Sequence, residues 1–177
     1  MFYALVVDAD GNGMSARFYP EEPTSYPSNE IPCTEAQAKI PAAYQVVNGQ
    51  IVESLSYAKT SQIALLQSAF QQAEQTPVSL TLASGITTSF GITPHDWTKI
   101  VGLFAKYVAK GITLPSGYQI PDANGTLQSV TVADIENLFN AGETQMTGAI
   151  AKLASLVGEV QAATTVSAVQ AITWAAP

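Results

Sequence analysis

Several groups of residues in this chain have types and spacings that could do chemistry. Asp8, Asp10, Asn12 and Gly13 alternate as in the first half of a calcium loop, where side-chain oxygens at every second position converge on one cation. Such a loop closes on a bidentate acid, and the residue in that place is Tyr19. A plain turn is therefore expected, with no metal. His95, the only histidine, stands beside Asp96 and Trp97. An imidazole and a carboxylate can act as base and orienter, but neighbours in one helical turn point apart and no motif places a Ser or Cys nucleophile, so a surface role is expected. Cys33, the only cysteine, lies between Pro32 and Thr34 without a basic neighbour to lower its pKa, and should be inert. Lys99, Lys106 and Lys110 fall on one helical face. That stripe reads as a solvated face, or else as a contact for an acidic partner, which the chain's own N-terminal part could supply. The glycine-rich turns lack both the dinucleotide fingerprint and a Gly-Lys-Ser/Thr step, so no phosphate cradle is expected. No catalytic, cofactor-binding or metal-binding residue is assigned, and the chain reads as a binder and not an enzyme.

The elements that position these residues follow from pattern and punctuation. Residues 2–7 and 14–19 are β-branched and aromatic runs around a glycine-rich turn, a predicted hairpin. Pro20, Pro23, Pro27 and Pro32 then predict an irregular, extended arm, because each removes a backbone donor. Thr34 and Gln37 have capping-box spacing for a short helix that Pro41 closes. Asn48-Gly49 between two apolar runs predicts a tight hairpin over 44–53, both central residues needing positive φ. Ile63, Leu66, Phe70 and Ala73 recur at helical spacing within 57–75. Residues 78–82 and 86–92 should pair as a hairpin. Thr93, Pro94 and Asp96 open a helix as cap, first residue and first-turn acid. Its expected core face is Trp97, Ile100, Val101, Phe104 and Val108, opposite the lysines.

A further turn is expected over 118–130, with Asn124-Gly125 at its tip, before Thr131 caps a last long helix with Asp134 in its first turn. On that helix Ile135, Phe139, Met146, Ile150, Leu153, Val157 and Val160 fall within about 60° of one line. Glu143 would share the line, so a break is expected at 140–142; a charge facing a partner is the alternative. Residues 164–172 read as a final short helical or extended segment, and Trp174 as a side chain in need of cover. The fold class is α+β: an N-terminal β-rich module with a Pro-rich arm over 1–56, then a mixed helix and hairpin domain over 57–177.

Composition narrows the function classes. Charged residues are 12% and hydrophobic residues 47%, so Thr, Ser, Gln and Asn must cover much of the surface, which suits burial in an assembly or else the neutral, wet surface of a lightly charged monomer. The net charge is −7; residues 1–56 hold seven acids against Arg17 and Lys39. No segment builds the basic field that a phosphate backbone requires, so nucleic acid is not an expected partner. No apolar run approaches the roughly 20 residues of a membrane span, and the start lacks a basic leader. With a lone thiol, this predicts a soluble protein of a reducing cytoplasm.

Two portions resemble bacteriophage tail-fibre assembly proteins. Met1-Phe-Tyr-Ala, then Ile31-Pro32-x-Thr34-Glu35 and Tyr44-Gln-Val-Val-Asn-Gly-Gln, is similar to the N-terminal region of tail-fibre assembly chaperones. Residues 57–174 resemble an uncharacterised domain common in phage tail fibre and fibre-assembly proteins, through the Asp122-Ala-Asn-Gly125 turn, Val130-Thr-Val-Ala-Asp134 and a long helix carrying Lys152. The last helix departs from that pattern, its aromatic-plus-Lys signature being weak. The resemblance implies a protein of the host cytoplasm during assembly, or of the virion tail. It would bind a tail fibre and help it fold or attach, or be a permanent tail subunit, and it implies no cofactor. The long apolar line supplies the expected contact residues, Met146, Ile150, Leu153, Val157 and Val160, for self-association or for the fibre.

Overall fold

The computed structural model describes residues 1–175 as an α+β chain, its strands paired in small antiparallel sheets. Two compact units are present: Met1–Leu66 together with the chain from Leu156 on, and Gln67–Ser155.

In the first unit β1 (Phe2–Val7) and β2 (Gly13–Tyr19) form the predicted hairpin. A third strand, β3 (Glu30–Cys33), lies on the other side of β1, giving the order β2-β1-β3. This corrects the expectation that the proline-rich segment is irregular throughout. Pro32 pairs opposite Ala4, and an edge strand tolerates a missing N–H because one of its sides has no partner to satisfy. Ala4 and Leu5 are fully buried. Helix α1 (Glu35–Lys39) starts with the Thr34 and Gln37 capping box that the spacing predicts, and a 3-10 turn over Pro41–Ala43 follows. Strands β4 (Tyr44–Val47) and β5 (Gln50–Glu53) flank Asn48 and Gly49, whose φ angles of 52° and 77° are those of the tight turn expected there.

The glycines of the first hairpin turn have a packing reason. Val46 N–H donates to the Gly11 carbonyl at 2.7 Å, and a Cβ at Gly13 would lie 2.2 Å from the Pro41 carbonyl oxygen. Only a bare backbone lets the two hairpins meet so closely.

Helix α2 (Leu55–Glu74) crosses the unit boundary, as does α4 (Val132–Ala162), and α5 (Val166–Ala171) ends the first unit. The division therefore differs from one at residue 56, and two long-range bonds explain why. Lys59 Nζ donates to the Gln161 carbonyl at 2.7 Å and Gln62 Nε2 to the Ile172 carbonyl at 2.6 Å, drawing the end of the chain back to the first half of α2. Trp174 is half-buried.

The second unit holds the hairpins β6 (Val78–Thr81) with β7 (Thr87–Phe90) and β8 (Gln119–Pro121) with β9 (Leu127–Ser129), and α3 (Pro94–Leu103), which runs into a π-helical segment over Phe104–Ala109. Its core gathers Leu82, Phe90, Ile92, Ile100, Ile135 and Leu138. Asp134 binds the parts together. Its carboxylate accepts from Thr131 N–H at 2.8 Å and Thr131 Oγ1 at 2.7 Å, capping α4, and from Ala83 N–H at 2.8 Å in the β6–β7 turn.

Helix α4 is continuous over 31 residues, so the break expected at 140–142 is absent. The reason is geometric. The fully or nearly buried positions are Ile135, Leu138, Gly142, Ala149 and Val160, centred roughly 50° from the predicted line at 100° per residue. Glu143 then falls on the exposed side and costs nothing. Gly142 serves close packing: a Cβ there would lie 2.4 Å from Trp97 Cζ3. Trp97 stacks on Phe139 with centroids 5.4 Å apart, and Phe139 on Phe104 at 4.0 Å.

Candidate functional site

A cleft of about 790 Å3 opens in the second unit. Its floor is apolar and aromatic, built from Phe90, Ile100, Tyr107, Tyr118, Ile120 and Leu138. Thr93 and Asp96 set one wall: Thr93 caps α3 and donates its hydroxyl to Asp96 Oδ2 at 2.6 Å. Gly91 makes room for that carboxylate, since a Cβ there would lie 2.7 Å from Asp96 Oδ2.

A π-helical segment supplies Lys106 and Tyr107 to the cleft lining. Its wider turn, closed by Lys110 N–H to the Ala105 carbonyl at 3.2 Å, rotates the following residues away from α-helical register. Tyr107, seven residues after the buried Ile100 and so on the same side of the helix, is buried, while Val101, expected on the core face, is 39% exposed. Lys99 and Lys106 line the cleft, and Lys106 Nζ stands 4.9 Å from the centroid of the Tyr107 ring. Tyr107 and Tyr118 rings meet at 5.8 Å. Lys110 is exposed away from this lining.

Asp122, at the β8–β9 turn, closes the far wall. Its Oδ1 accepts from Asn124 N–H and Thr126 N–H, both at 2.9 Å; its Oδ2 accepts from Thr88 Oγ1 at 2.9 Å and Gln128 Nε2 at 3.0 Å. Burial raises the pKa of this carboxyl, but those four donors outweigh it and hold the group below the usual carboxylate value. Ala123 N–H also donates to the Ser89 carbonyl at 2.7 Å, fastening the turn to β7. Both cleft carboxylates thus have internal donors, while among the described residues neither Lys99 nor Lys106 forms an ion pair.

The other chemistry-bearing residues are placed apart. Asp8 accepts from Asn12 N–H at 2.8 Å, Asn12 Nδ2 at 3.0 Å and Asp10 N–H at 3.0 Å, which stabilises its ionised form and holds its pKa down. His95 is exposed, and the Asp96 carboxylate beside it bonds to Thr93. Cys33 is half-buried, and burial pushes its thiol pKa up. Of the expected contact line, Val160 is fully buried, Met146, Leu153 and Val157 are half-buried, and Ile150 is 54% exposed.

Sequence spacing missed the carboxylate of Glu30, which is only 4% exposed. It pairs with Arg17 Nη1 at 2.6 Å and accepts the Tyr19 hydroxyl hydrogen, a bond that, first among the causes, raises the tyrosine pKa. The partners come from two strands flanking β1, and no local pattern announces them. Also unforeseen is the exposure of β2, an edge strand on which residues 14–18 are all exposed, Met14 at 69% and Phe18 at 48%.

No family model, curated protein or solved structure matches the chain. No helix among the described residues is long and apolar enough to cross a membrane.

Proposed function

We propose that the chain is a bacteriophage tail protein that binds a tail fibre and assists its folding or attachment. The observation that carries the reading is the edge of the three-stranded sheet. Beyond Gly13, which packs against Pro41, strand β2 lies on an outer edge, with Met14 and Phe18 exposed on it. Charges, prolines and bulges commonly blunt such edges; β2 has a bulge at Met14, where Val6 pairs with Ser15 and Val7 with Gly13, and one charge, Arg17, already paired with Glu30, which leaves Ser15–Tyr19 as the regular stretch open to a new strand. An extended segment of another protein can add a strand there by main-chain bonds, a mode suited to a fibre chain whose own strands are not yet paired. The resemblance of both halves to fibre-assembly proteins names that partner class, and with no catalytic constellation assigned the role is binding.

A second reading, a permanent structural subunit present in several copies, is favoured by the low charge content of 12%, which suits a surface buried in an assembly. Co-expression with the fibre of the same phage separates the two. Rescue of soluble fibre trimers supports the assembly role. Stoichiometric presence in purified virions without rescue supports the subunit, and neither result would end both readings.

A further inference from the structure

The chain has three Asn-Gly steps, Asn12-Gly13, Asn48-Gly49 and Asn124-Gly125. Asparagine before glycine is open to spontaneous loss of its side-chain amide, because the glycine nitrogen can attack the side-chain carbonyl and no Cβ stands in the way. The fold treats the three steps differently. At Asn12 both partners are held: its Nδ2 donates to Asp8 Oδ2 at 3.0 Å, and Gly13 is buried, with the Pro41 carbonyl oxygen 2.2 Å from where a Cβ would stand. At Asn124 the attacking nitrogen is held, since Gly125 N–H donates to the Asp122 carbonyl at 2.9 Å. Asn124 N–H is itself bound to Asp122 Oδ1 at 2.9 Å. Asn48 has neither restraint. It and Gly49 are exposed, a Cβ at Gly49 would meet nothing within 4 Å, and among the described residues no hydrogen bond reaches the Asn48 side chain or the Gly49 N–H. The hairpin is fastened toward its base, where Val46 N–H donates to the Gly11 carbonyl at 2.7 Å and Ser54 N–H to the Ala43 carbonyl at 2.8 Å. Its tip has no such tie. Two strands of four residues are marginal by themselves, so the tip opens and Asn48 leaves its φ of 52° for the geometry that ring closure needs.

We propose that Asn48 is a site of spontaneous modification, where water converts the asparagine to aspartate and isoaspartate and the hairpin over 44–53 loses its register. The Gly49 nitrogen gives its proton to solvent base and bonds to Asn48 Cγ. The Cγ–Nδ2 bond breaks, and ammonia leaves with a proton from solvent. Water then opens the five-membered imide at either carbonyl carbon. Attack at Cγ gives aspartate; attack at the main-chain carbonyl carbon gives isoaspartate, in which the main chain runs through Cβ and is one methylene longer. A two-residue turn fixes Val47 opposite Gln50, and the longer chain no longer fits it. The inference goes beyond the fibre-binding reading and does not depend on it.

The test incubates the full chain at mildly alkaline pH, folded and in concentrated urea, and follows conversion by peptide mass mapping. Trypsin places the three asparagines on separate peptides, 1–17, 40–59 and 111–152, with fragmentation locating the modified residue. In the folded chain, Asn48 should convert at least about fivefold faster than Asn12 or Asn124, the factor that one intact hydrogen bond contributes. In urea the three rates should draw together. Asn48→Gln, whose ring closure needs a six-membered imide, should leave peptide 40–59 unconverted. The urea midpoint of the aged wild type should fall below that of fresh protein, and the midpoint of Asn48→Gln should not change on ageing. Conversion of Asn12 or Asn124 ahead of Asn48 in the folded chain would overturn the proposal, as would the same lead for Asn48 in urea, since the fold would not then be its cause. A converted hairpin with an unchanged midpoint would overturn the loss of register.

Discussion

Replacing Gly142 by alanine tests the packing of α4 through the sign of the effect. Glycine inside a helix costs roughly 1 kcal/mol relative to alanine, so an open position should gain that much on substitution. Gly148, on the same helix in the same unit, is such a position, since a Cβ there meets nothing within 4 Å. At Gly142 the new Cβ would stand 2.4 Å from Trp97 Cζ3 and 3.2 Å from its Cε3 and Cη2. The indole cannot yield freely, because it is stacked on Phe139, which is stacked on Phe104. Overpacking of this kind costs about 1–3 kcal/mol. Set against the helical gain of about 1 kcal/mol, Gly142→Ala should end neutral to about 2 kcal/mol destabilised, while Gly148→Ala should gain. Urea unfolding of both variants, with tryptophan emission as the probe, reads the gap of about 1–3 kcal/mol. Adding Trp97→Leu should remove the penalty at Gly142, since the clash is with the ring. If both glycines gain equally, the contact with Trp97 does not exist as described.

At the Asn48-Gly49 turn, Gly49→Val puts a β-branched residue at φ 77° with no neighbour to blame, and should cost about 1–3 kcal/mol, seen as a lower unfolding midpoint. Asp134→Ala leaves the Thr131 cap but removes the carboxylate that accepts from Thr131 N–H and Ala83 N–H, so a loss of about 2–3 kcal/mol is expected in the same assay. The pKa values of Asp8, Asp122 and Asp134 are all held below 3.8 in the fold, so their stabilisation is complete above that value and is lost as pH falls through the lower folded values. Urea midpoints should therefore stay level down to about pH 5 and drop steeply below pH 4, less steeply in Asp134→Asn; a midpoint that rises on acidification contradicts the bonding described. Millimolar calcium should leave the melting temperature unchanged, because Asp8 serves Asn12 and Asp10 and the place of the closing acid is held by Tyr19; a rise of several degrees would refute this.

What the sequence made legible was local. The Thr34 and Gln37 box, the Asn48-Gly49 turn, the Thr93 cap with Pro94 and the Thr131 cap each close a hydrogen bond within about four residues, so residue type and spacing contain the whole interaction. Illegible features depend on who arrives from elsewhere in the chain. The strand at 30–33 exists because β1 offers it an edge, and Pro32 with the three prolines before it argued against it. The buried face of α4, turned by about half a position from the expected line, includes Gly142, against which the ring of Trp97 packs. The π-helical segment over Phe104–Ala109 breaks the 3.6-residue period, and periodicity cannot register a turn that breaks the period.

The fate of the carboxylates joins fold to function. With charged residues at 12%, each acid matters, and Asp8, Glu30, Asp122 and Asp134 give their oxygens to internal donors. Asp8 closes its own turn, while the other three hold separate pieces of chain: Glu30 ties the arm to the first hairpin, Asp122 ties one hairpin turn to β7, and Asp134 ties α4 to the β6–β7 turn. Acids used in this way fix geometry but contribute little repulsion at the surface. A surface left to Thr, Ser, Gln and Asn can be brought against another such surface at small electrostatic cost.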